Sequence, residues 1–317
     1  MRPVPPLLVI AGATATGKTA LAIRLALELR REEIPAEVIS ADSRQVFRGL
    51  DIGTAKPTIE ERGGVPHHGL DLVNPDEPFS VADFADHVAD VLMPIAAAGG
   101  LAILAGGTGF YLRTIARGLD TDALPSDRAL RARLEAEFLD GGLDPLVERL
   151  RAVAPERAAR LDLCNPRRVI RALEIATLDG GLGSLPAARG YGGPVAWVGL
   201  TVDRPSHAAW IAARARAQFD GGLVEEARTL RERYDPALPT FSAIGYREAW
   251  AVLDGTLTRE AAIAEDARRN LGFAKRQRTW FKAEPGIAWL DPSATDPLPA
   301  VLEAARGLLA PLDRLQA

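Results

Sequence analysis

Apolar residues in this chain follow two rhythms. Short, largely apolar runs cover Leu7–Ala11, Glu37–Ala41, Leu101–Ala105 and Ala196–Val202, ending at Gly12, Asp42, Gly106 and Asp203. Runs this short, closed by glycine or aspartate, are the pattern of strands buried on both faces. Between them, apolar positions recur with helical spacing over Ala20–Leu29, Val81–Leu92 and Tyr111–Ala116. Strands alternating with helices predict an α/β fold whose parallel sheet is covered on both sides.

The rhythm changes from Asp120 to Tyr191, which is rich in Arg, Ala and Leu and contains no strand pattern. Because this stretch falls between two predicted strands, it reads as a helical insertion domain over 120–191. Residues 1–119 and 192–317 then form the α/β core and its C-terminal helices. The segment Gly180–Gly193 is turn-prone and reads as a hinge or flexible loop. From His207 onward the pattern is helical and closes on a polar tail. There is no internal repeat.

Composition narrows the class. With 47% hydrophobic and 25% charged residues, the 317-residue chain is an ordinary globular sequence. No apolar stretch approaches the ~20 residues of a membrane span, so no membrane partner is expected. The opening MRPVPPLLVIAG reads as a first strand, not a signal peptide. Cys164, the sole cysteine, excludes an internal disulfide and reads as a small core residue. These features point to the cytoplasm or another reducing compartment. A monomer is expected, although the sequence itself does not fix the oligomeric state. The net charge of −4 does not mark a nucleic-acid partner. Of 38 basic residues only Lys18, Lys56, Lys275 and Lys282 are lysines, and each falls in a motif described below.

Gly12-Ala13-Thr14-Ala15-Thr16-Gly17-Lys18-Thr19 satisfies G-x-x-x-x-G-K-[ST] at every defined position, between a predicted strand and a predicted helix. The glycines let the backbone turn several N–H groups onto one anion, and the helix N-terminus adds a positive dipole. Lys18 would meet the terminal phosphates, and the Thr19 hydroxyl would ligate Mg²⁺. Such a loop implies a di- or triphosphate with Mg²⁺. Most of them serve hydrolysis or transfer of a nucleotide γ-phosphate, so an ATP-binding small-molecule kinase is the default rival.

Further segments bear on that rival. They are Asp42-Ser43-Arg44-Gln45-Val46-Phe47 with Leu50–Pro57, Pro66-His67-His68, Phe79–Phe84, and Gly106-Gly107-Thr108-Gly109-Phe110-Tyr111. Asn165–Glu174, Ile244-Gly245-Tyr246-Arg247-Glu248 and Lys275-Arg276-Gln277-Arg278-Thr279-Trp280 follow. In this order, from about Leu7 to Lys282, the set resembles the tRNA dimethylallyltransferase (tRNA isopentenyltransferase) family. The resemblance implies a phosphate-loop core with a helical insertion domain and helical C-terminal part. It also implies a reaction: the dimethylallyl group of dimethylallyl diphosphate passes to N6 of the adenosine 3′-adjacent to the anticodon. Diphosphate then leaves with Mg²⁺, and the phosphate loop holds a prenyl diphosphate, not a nucleotide.

The same resemblance distributes roles. Gly12 through Thr19 (Gly12, Ala13, Thr14, Ala15, Thr16, Gly17, Lys18, Thr19) and Arg214 would bind diphosphate. Lys18 and Thr19 would also assist catalysis. Asp42 would be the general base for the N6 amine; a metal-orienting aspartate is the other reading. Ser43, Arg44, Gln45 and Thr108 would lie near the target base. Gly245, Tyr246, Arg247, Lys275, Arg276, Gln277, Arg278, Thr279 and Trp280 would contact tRNA. Arg131, Arg167, Arg168 and Arg171 would meet the anticodon stem from the insertion. Residues 268–282 hold six basic side chains and no acidic one, interleaved with Phe273, Trp280 and Phe281, a pattern suited to phosphates and unpaired bases.

Three departures from the family pattern are visible: Phe47 where Tyr is usual, Gly69 where Leu is usual, and Trp210 where Arg is expected. The adjacent His67 and His68 point in different directions and have no third ligand at metal spacing, so lining roles are expected. Two further alternatives stand beside the kinase. One is an isopentenyltransferase acting on free adenine nucleotides. The other is a non-catalytic RNA-binding protein switched by nucleotide.

Overall fold

The computed structural model describes residues 4–119, 125–179 and 188–316, with side chains to residue 310. The chain forms two compact units, Met1–Gly118 with Gly190–Ala317, and Leu119–Arg189. Most of the predicted hinge at Gly180–Gly193 lies outside the described residues.

In chain order the first unit contains β1 (Leu7–Gly12), α1 (Lys18–Arg31), β2 (Ala36–Ala41), α2 (Ile59–Arg62), β3 (His67–His68), α3 (Val81–Ala97), β4 (Leu101–Gly106) and α4 (Gly109–Arg117). The second unit supplies α5 (Arg128–Gly141), α6 (Asp144–Val153), α7 (Pro155–Arg160) and α8 (Pro166–Leu178). The chain then returns with β5 (Val195–Leu200), α9 (Arg204–Asp220), α10 (Leu223–Arg233), a 3₁₀ turn (Pro239–Ser242), α11 (Tyr246–Leu253), α12 (Arg259–Lys282), β6 (Ile287–Leu290) and α13 (Leu298–Gln316).

The six strands form one parallel sheet in the order β3-β2-β4-β1-β5-β6. Strand alternation sorts its apolar residues into two layers. Leu8 and Ile10 of β1 pack with α1 and α13, while Leu7, Val9 and Ala11 pack with α3 and α4. Every apolar residue of β1 is fully buried, which is why its sequence shows no polar alternation. A third apolar cluster joins Val46, Phe47 and Leu50 to Phe241, Tyr246 and Trp250, and so ties the loop after β2 to α9–α11. Phe47 is one of its core members.

Two expectations are corrected here. The chain after His207 is not helical throughout, because β6 pairs with β5 as an edge strand. Four residues, half of them exposed, are too few for periodicity to separate a strand from a helical turn. The end of the chain is α13, packed on α1 and β5, and not a polar tail. Cys164 is exposed in the turn before α8, and so is not a core residue.

In the second unit, α5, α6 and α8 close around Leu134, Leu150, Val169 and Leu173. Asp127 caps α5 and Asn165 caps α8, each accepting backbone N–H bonds that the first turn leaves unpaired. Among the described residues, no helix is long and apolar enough to cross a membrane.

Candidate active site

The site lies where β1, β2 and β4 end, the edge at which parallel sheets place ligands. At Gly12 the backbone takes φ 151°, and a Cβ there would lie 2.7 Å from the Leu200 carbonyl oxygen. Ala15 (φ 58°) and Gly17 (φ 85°) complete a loop whose alternating conformation curls N–H groups inward. Thr14 is held at three atoms. Its N–H donates to Gln277 Oε1 (2.8 Å), its carbonyl accepts from His207 Nε2 (2.8 Å), and its Oγ1 accepts from Arg214 Nη1 (2.7 Å). Because a carbonyl only accepts, Nε2 of His207 carries the proton.

Lys18 Nζ donates to the Ala13 carbonyl at 2.6 Å. Burial, and then the Arg214 cation, push the Lys18 ammonium down to about 7, while Asp42 pulls the other way. Burial likewise holds the Arg214 guanidinium below its ordinary range, against the pull of Asp42 and Asp266. A bound anion would relieve both strains at once. The Arg214 Nε is buried without a hydrogen-bond partner among the described residues.

Asp42 follows directly on β2. Its Oδ1 accepts the Arg44 N–H (2.8 Å), and the Ser43 N–H donates to Thr108 Oγ1 (3.1 Å). The Arg44 guanidinium donates to Ser242 Oγ (2.7 Å) and to the Pro239 and Thr240 carbonyls (3.3 Å each). Gln45 is buried. It accepts from Ser40 Oγ and donates to the Thr54 and Ala55 carbonyls, which fixes the neighbouring loop. The other end of that loop is fixed by Glu226, whose carboxylate accepts the N–H groups of Ile52 (2.7 Å) and Gly53 (3.0 Å). Lys56 is a staple within it, since Nζ donates to Asp51, Asp71 and the Phe47 carbonyl.

Two cavities meet here. The smaller, about 200 Å³, is lined by Gly17, Lys18, Thr19, Gly106, Gly107 and Gln277. The larger, about 440 Å³, is lined by Ser43, Arg44, Thr108, Ser242, Arg268, Arg269, Asn270 and Arg276. Thr14, Asp42, Thr54, Arg214 and Phe273 line both. The smaller room carries the Lys18 and Arg214 cations and the turned-in loop, the larger is lined by polar and basic side chains, and Asp42 lines both. Among the described residues no group of three or more His, Cys, Asp or Glu side chains is arranged to hold a metal. The donor set nonetheless fits Mg²⁺ that takes its ligands mainly from a diphosphate and water, with the Thr19 hydroxyl as the protein's share.

The remaining residues divide. Arg247, Lys275, Arg276 and Thr279 are exposed, and Arg278 and Trp280 are half-buried. Trp280 lies under the Arg113 guanidinium, 4.4 Å from its ring centre. Tyr246 has no exposed surface: its ring fills the core against Gly53 and its hydroxyl donates to Glu226 (2.7 Å), so no face of it is open to RNA. Gly245 adopts φ 107°, and a Cβ there would approach Asp266. Gln277 is turned inward onto the phosphate loop. In the second unit Arg167 and Arg168 are exposed, whereas Arg131 and Arg171 both bond to the buried Glu174.

The motif-based reading did not find Glu226, Asp266 or His207, and named Phe273 only as part of the basic, aromatic run. Glu226 sits in an ordinary acidic helix start with no motif around it. Phe273 carried a signal, as an aromatic inside the basic run.

A phosphate loop whose cavity opens beside a carboxylate onto a second, polar cavity defines a protein of the phosphate-loop α/β class with a two-room site. Comparison with known proteins places it further. The sequence model of the IPP transferase family matches residues 45–284, and that of the isopentenyl transferases matches residues 5–74. A tRNA dimethylallyltransferase of Anaeromyxobacter dehalogenans is 46% identical over 90% of this chain and 93% of its own length. One from Symbiobacterium thermophilum is 43% identical over 90% and 89%. Among solved structures, the full-length tRNA isopentenylpyrophosphate transferase of Bacillus halodurans superposes with a TM-score of 0.69 at 37% identity, covering 98% of this chain and 99% of that one. A eukaryotic dimethylallyltransferase acting on tRNA superposes with a TM-score of 0.73 at 24% identity, over 92% and 74%, and shares the fold. The chain belongs to the IPP transferase family.

Proposed function

We propose that this protein transfers the dimethylallyl group of dimethylallyl diphosphate to N6 of the tRNA adenosine 3′-adjacent to the anticodon, releasing diphosphate. The observation that carries the reading is the position of Asp42 on the wall shared by the anion cavity and the base-sized cavity. In this reading the phosphate loop, Lys18 and Arg214 hold the diphosphate and stabilise the charge that grows on it as the C–O bond breaks. Mg²⁺ held at Thr19 would neutralise part of that charge. Asp42 accepts the proton that the N6 amine loses as the new C–N bond forms.

A base stacked in the anticodon loop must be extruded before chemistry can reach it. The larger cavity accepts it, with Ser43, Arg44 and Thr108 on its wall. The exposed Arg276 on this opening, with the exposed Lys275 next to it in the chain, favours an RNA acceptor over a free nucleotide, which offers them too few phosphates. A cytoplasmic location, where tRNA is abundant, fits this reading.

The test incubates the protein with labelled dimethylallyl diphosphate, Mg²⁺ and unmodified tRNA, with γ-labelled ATP as rival donor. Label should pass from the prenyl donor to tRNA, and should vanish when the target adenosine is replaced. Label passing only from ATP would overturn the reading.

A further inference from the structure

Within Lys275–Trp280 of α12, Gln277 is the buried residue. It is 7% exposed, between the exposed Arg276 and the half-buried Arg278. Both ends of its carboxamide are used. Oε1 accepts the Thr14 N–H at 2.8 Å, and Nε2 donates to the Gly107 carbonyl at 2.9 Å. A Cβ on Gly107 would lie 2.3 Å from Nε2, so a side chain there would displace the amide. Thr108, next in the chain, takes the Ser43 N–H, and Ser43 follows Asp42. One side chain therefore bridges the loop that holds the anion and the loop that braces Asp42.

We infer that Gln277 is a positioning residue for the transfer reaction, fixing the separation between the phosphate loop and the Asp42 side of the site. This rests on the transferase reading above. Pairing of β1 with β4 ends at Ala11 and Gly106, so beyond that point no backbone ladder holds the two loops in register. Gln277 replaces the ladder with one acceptor and one donor on a single plane. The other polar atoms of Thr14 are held by His207 and Arg214, which leaves the N–H as the bond that ties the loop to β4's side. Displacement of a reacting group by ~1 Å costs roughly 100-fold in rate, so the bridge acts on the chemical step and not on RNA binding.

Two variants test this. Gln277→Met keeps the length and removes both hydrogen bonds. At saturating dimethylallyl diphosphate and tRNA, its single-turnover transfer should fall roughly 10–100-fold. The Kd for tRNA and its salt dependence should not change, and the Thr14 amide should exchange faster with solvent. Gln277→Glu keeps the acceptor but sets a carboxylate against the Gly107 carbonyl. Protonation restores the donor, so its rate relative to wild type at the same pH should rise as pH falls from 8 towards 5.5.

A Gln277→Met rate within tenfold of wild type overturns the inference, as does a loss explained by weaker tRNA binding with a flatter salt slope. Should Gln277→Met fail to fold, the Gln277→Glu ratio decides, and a ratio independent of pH is the adverse result. If wild type itself transfers no prenyl group, the reaction assignment fails. Thr14 exchange in Gln277→Met then judges the bridge alone, with unchanged exchange counting against it.

Discussion

Arg214 and the pair Arg131 and Arg171 are the same side chain put to opposite uses. Arg214, in the first unit, lies on two cavities and spends its hydrogen bonds on neutral groups, the Thr14 hydroxyl and the Thr54 carbonyl. Its charge is left to the field of Asp42 and Asp266. Arg131 and Arg171, in the second unit, bond to the carboxylate of Glu174, which is fully buried. A cation held by neutral partners is poised for an anionic ligand. Arg131 and Arg171 share one buried carboxylate, which neutralises one of their two charges and fixes both side chains within the unit. The identity of the residue does not separate these cases, and the partner does.

The largest effect expected in the first unit is at Asp42. Asp42→Asn keeps the shape and cannot take the proton, so kcat and kcat/KM should fall together by ~10²–10⁴-fold. Binding of tRNA and of the prenyl diphosphate should survive. The measurement is single-turnover transfer across a Mg²⁺ titration. A rate that stays low at saturating Mg²⁺ supports a base, whereas recovery towards wild type would make Asp42 a metal-site residue.

Arg214→Ala comes next. Hydrogen bonds to a charged group contribute ~1.5–3 kcal/mol, which corresponds to roughly a 10- to 150-fold weaker Kd for the prenyl diphosphate. Affinity for tRNA should hold. Arg131→Ala and Arg171→Ala should leave donor affinity within twofold, and isothermal titration with the diphosphate checks all three. A donor defect in either insertion variant would erase the contrast between the two regions.

How much of this was legible in the sequence depends on how local the cause is. The phosphate loop is readable because its eight residues are contiguous and its backbone demands glycine at fixed places, Gly12 and Gly17. The strands β1, β4 and β5 are readable because burial leaves uninterrupted apolar runs, and β2 because it is apolar apart from Glu37 and Ser40. Arg214 was placed at the diphosphate by family resemblance alone; its approach to Thr14 is not legible in the sequence, because it depends on the fold bringing α9 across the loop. Gln277, read with its basic neighbours as an RNA contact, is turned inward. The helix carried a hint of this, since Ala274, Gln277 and Phe281 fall on one face at spacings of three and four and all are buried. Tyr246 was misplaced for a different reason. A Gly-Tyr-Arg motif does not say which of its members the core will take, and the glycine at 53 that makes room for the ring is far away in sequence.

The smallest effect concerns Glu174, and it sharpens the comparison from the other side. Burial alone would raise its carboxyl, but hydrogen bonds from Arg171, the Asp127 N–H and Arg131 outweigh burial and hold it below the ordinary glutamate range. A carboxyl with a depressed pKa binds fewer protons folded than unfolded. Its contribution to stability is therefore complete above the unfolded value and lost as pH falls through the folded one. Breaking a buried ion pair costs ~3–5 kcal/mol, but both arginines are about a third exposed, so water recovers part of that. Glu174→Gln should thus destabilise the second unit by ~1–3 kcal/mol at pH 7. Hydrogen exchange in α5 and α8 reads that unit separately from the sheet. The difference between variant and wild type should persist at pH 5 and shrink as pH falls below the ordinary glutamate range, where wild type itself takes up the proton. If Arg131 and Arg171 are structural, tRNA affinity at pH 7 should follow the population of folded second unit and recover at lower temperature. A lasting rise in tRNA affinity, with the unit fully folded and two arginines freed from their carboxylate, would mean that Glu174 restrains an RNA-binding pair.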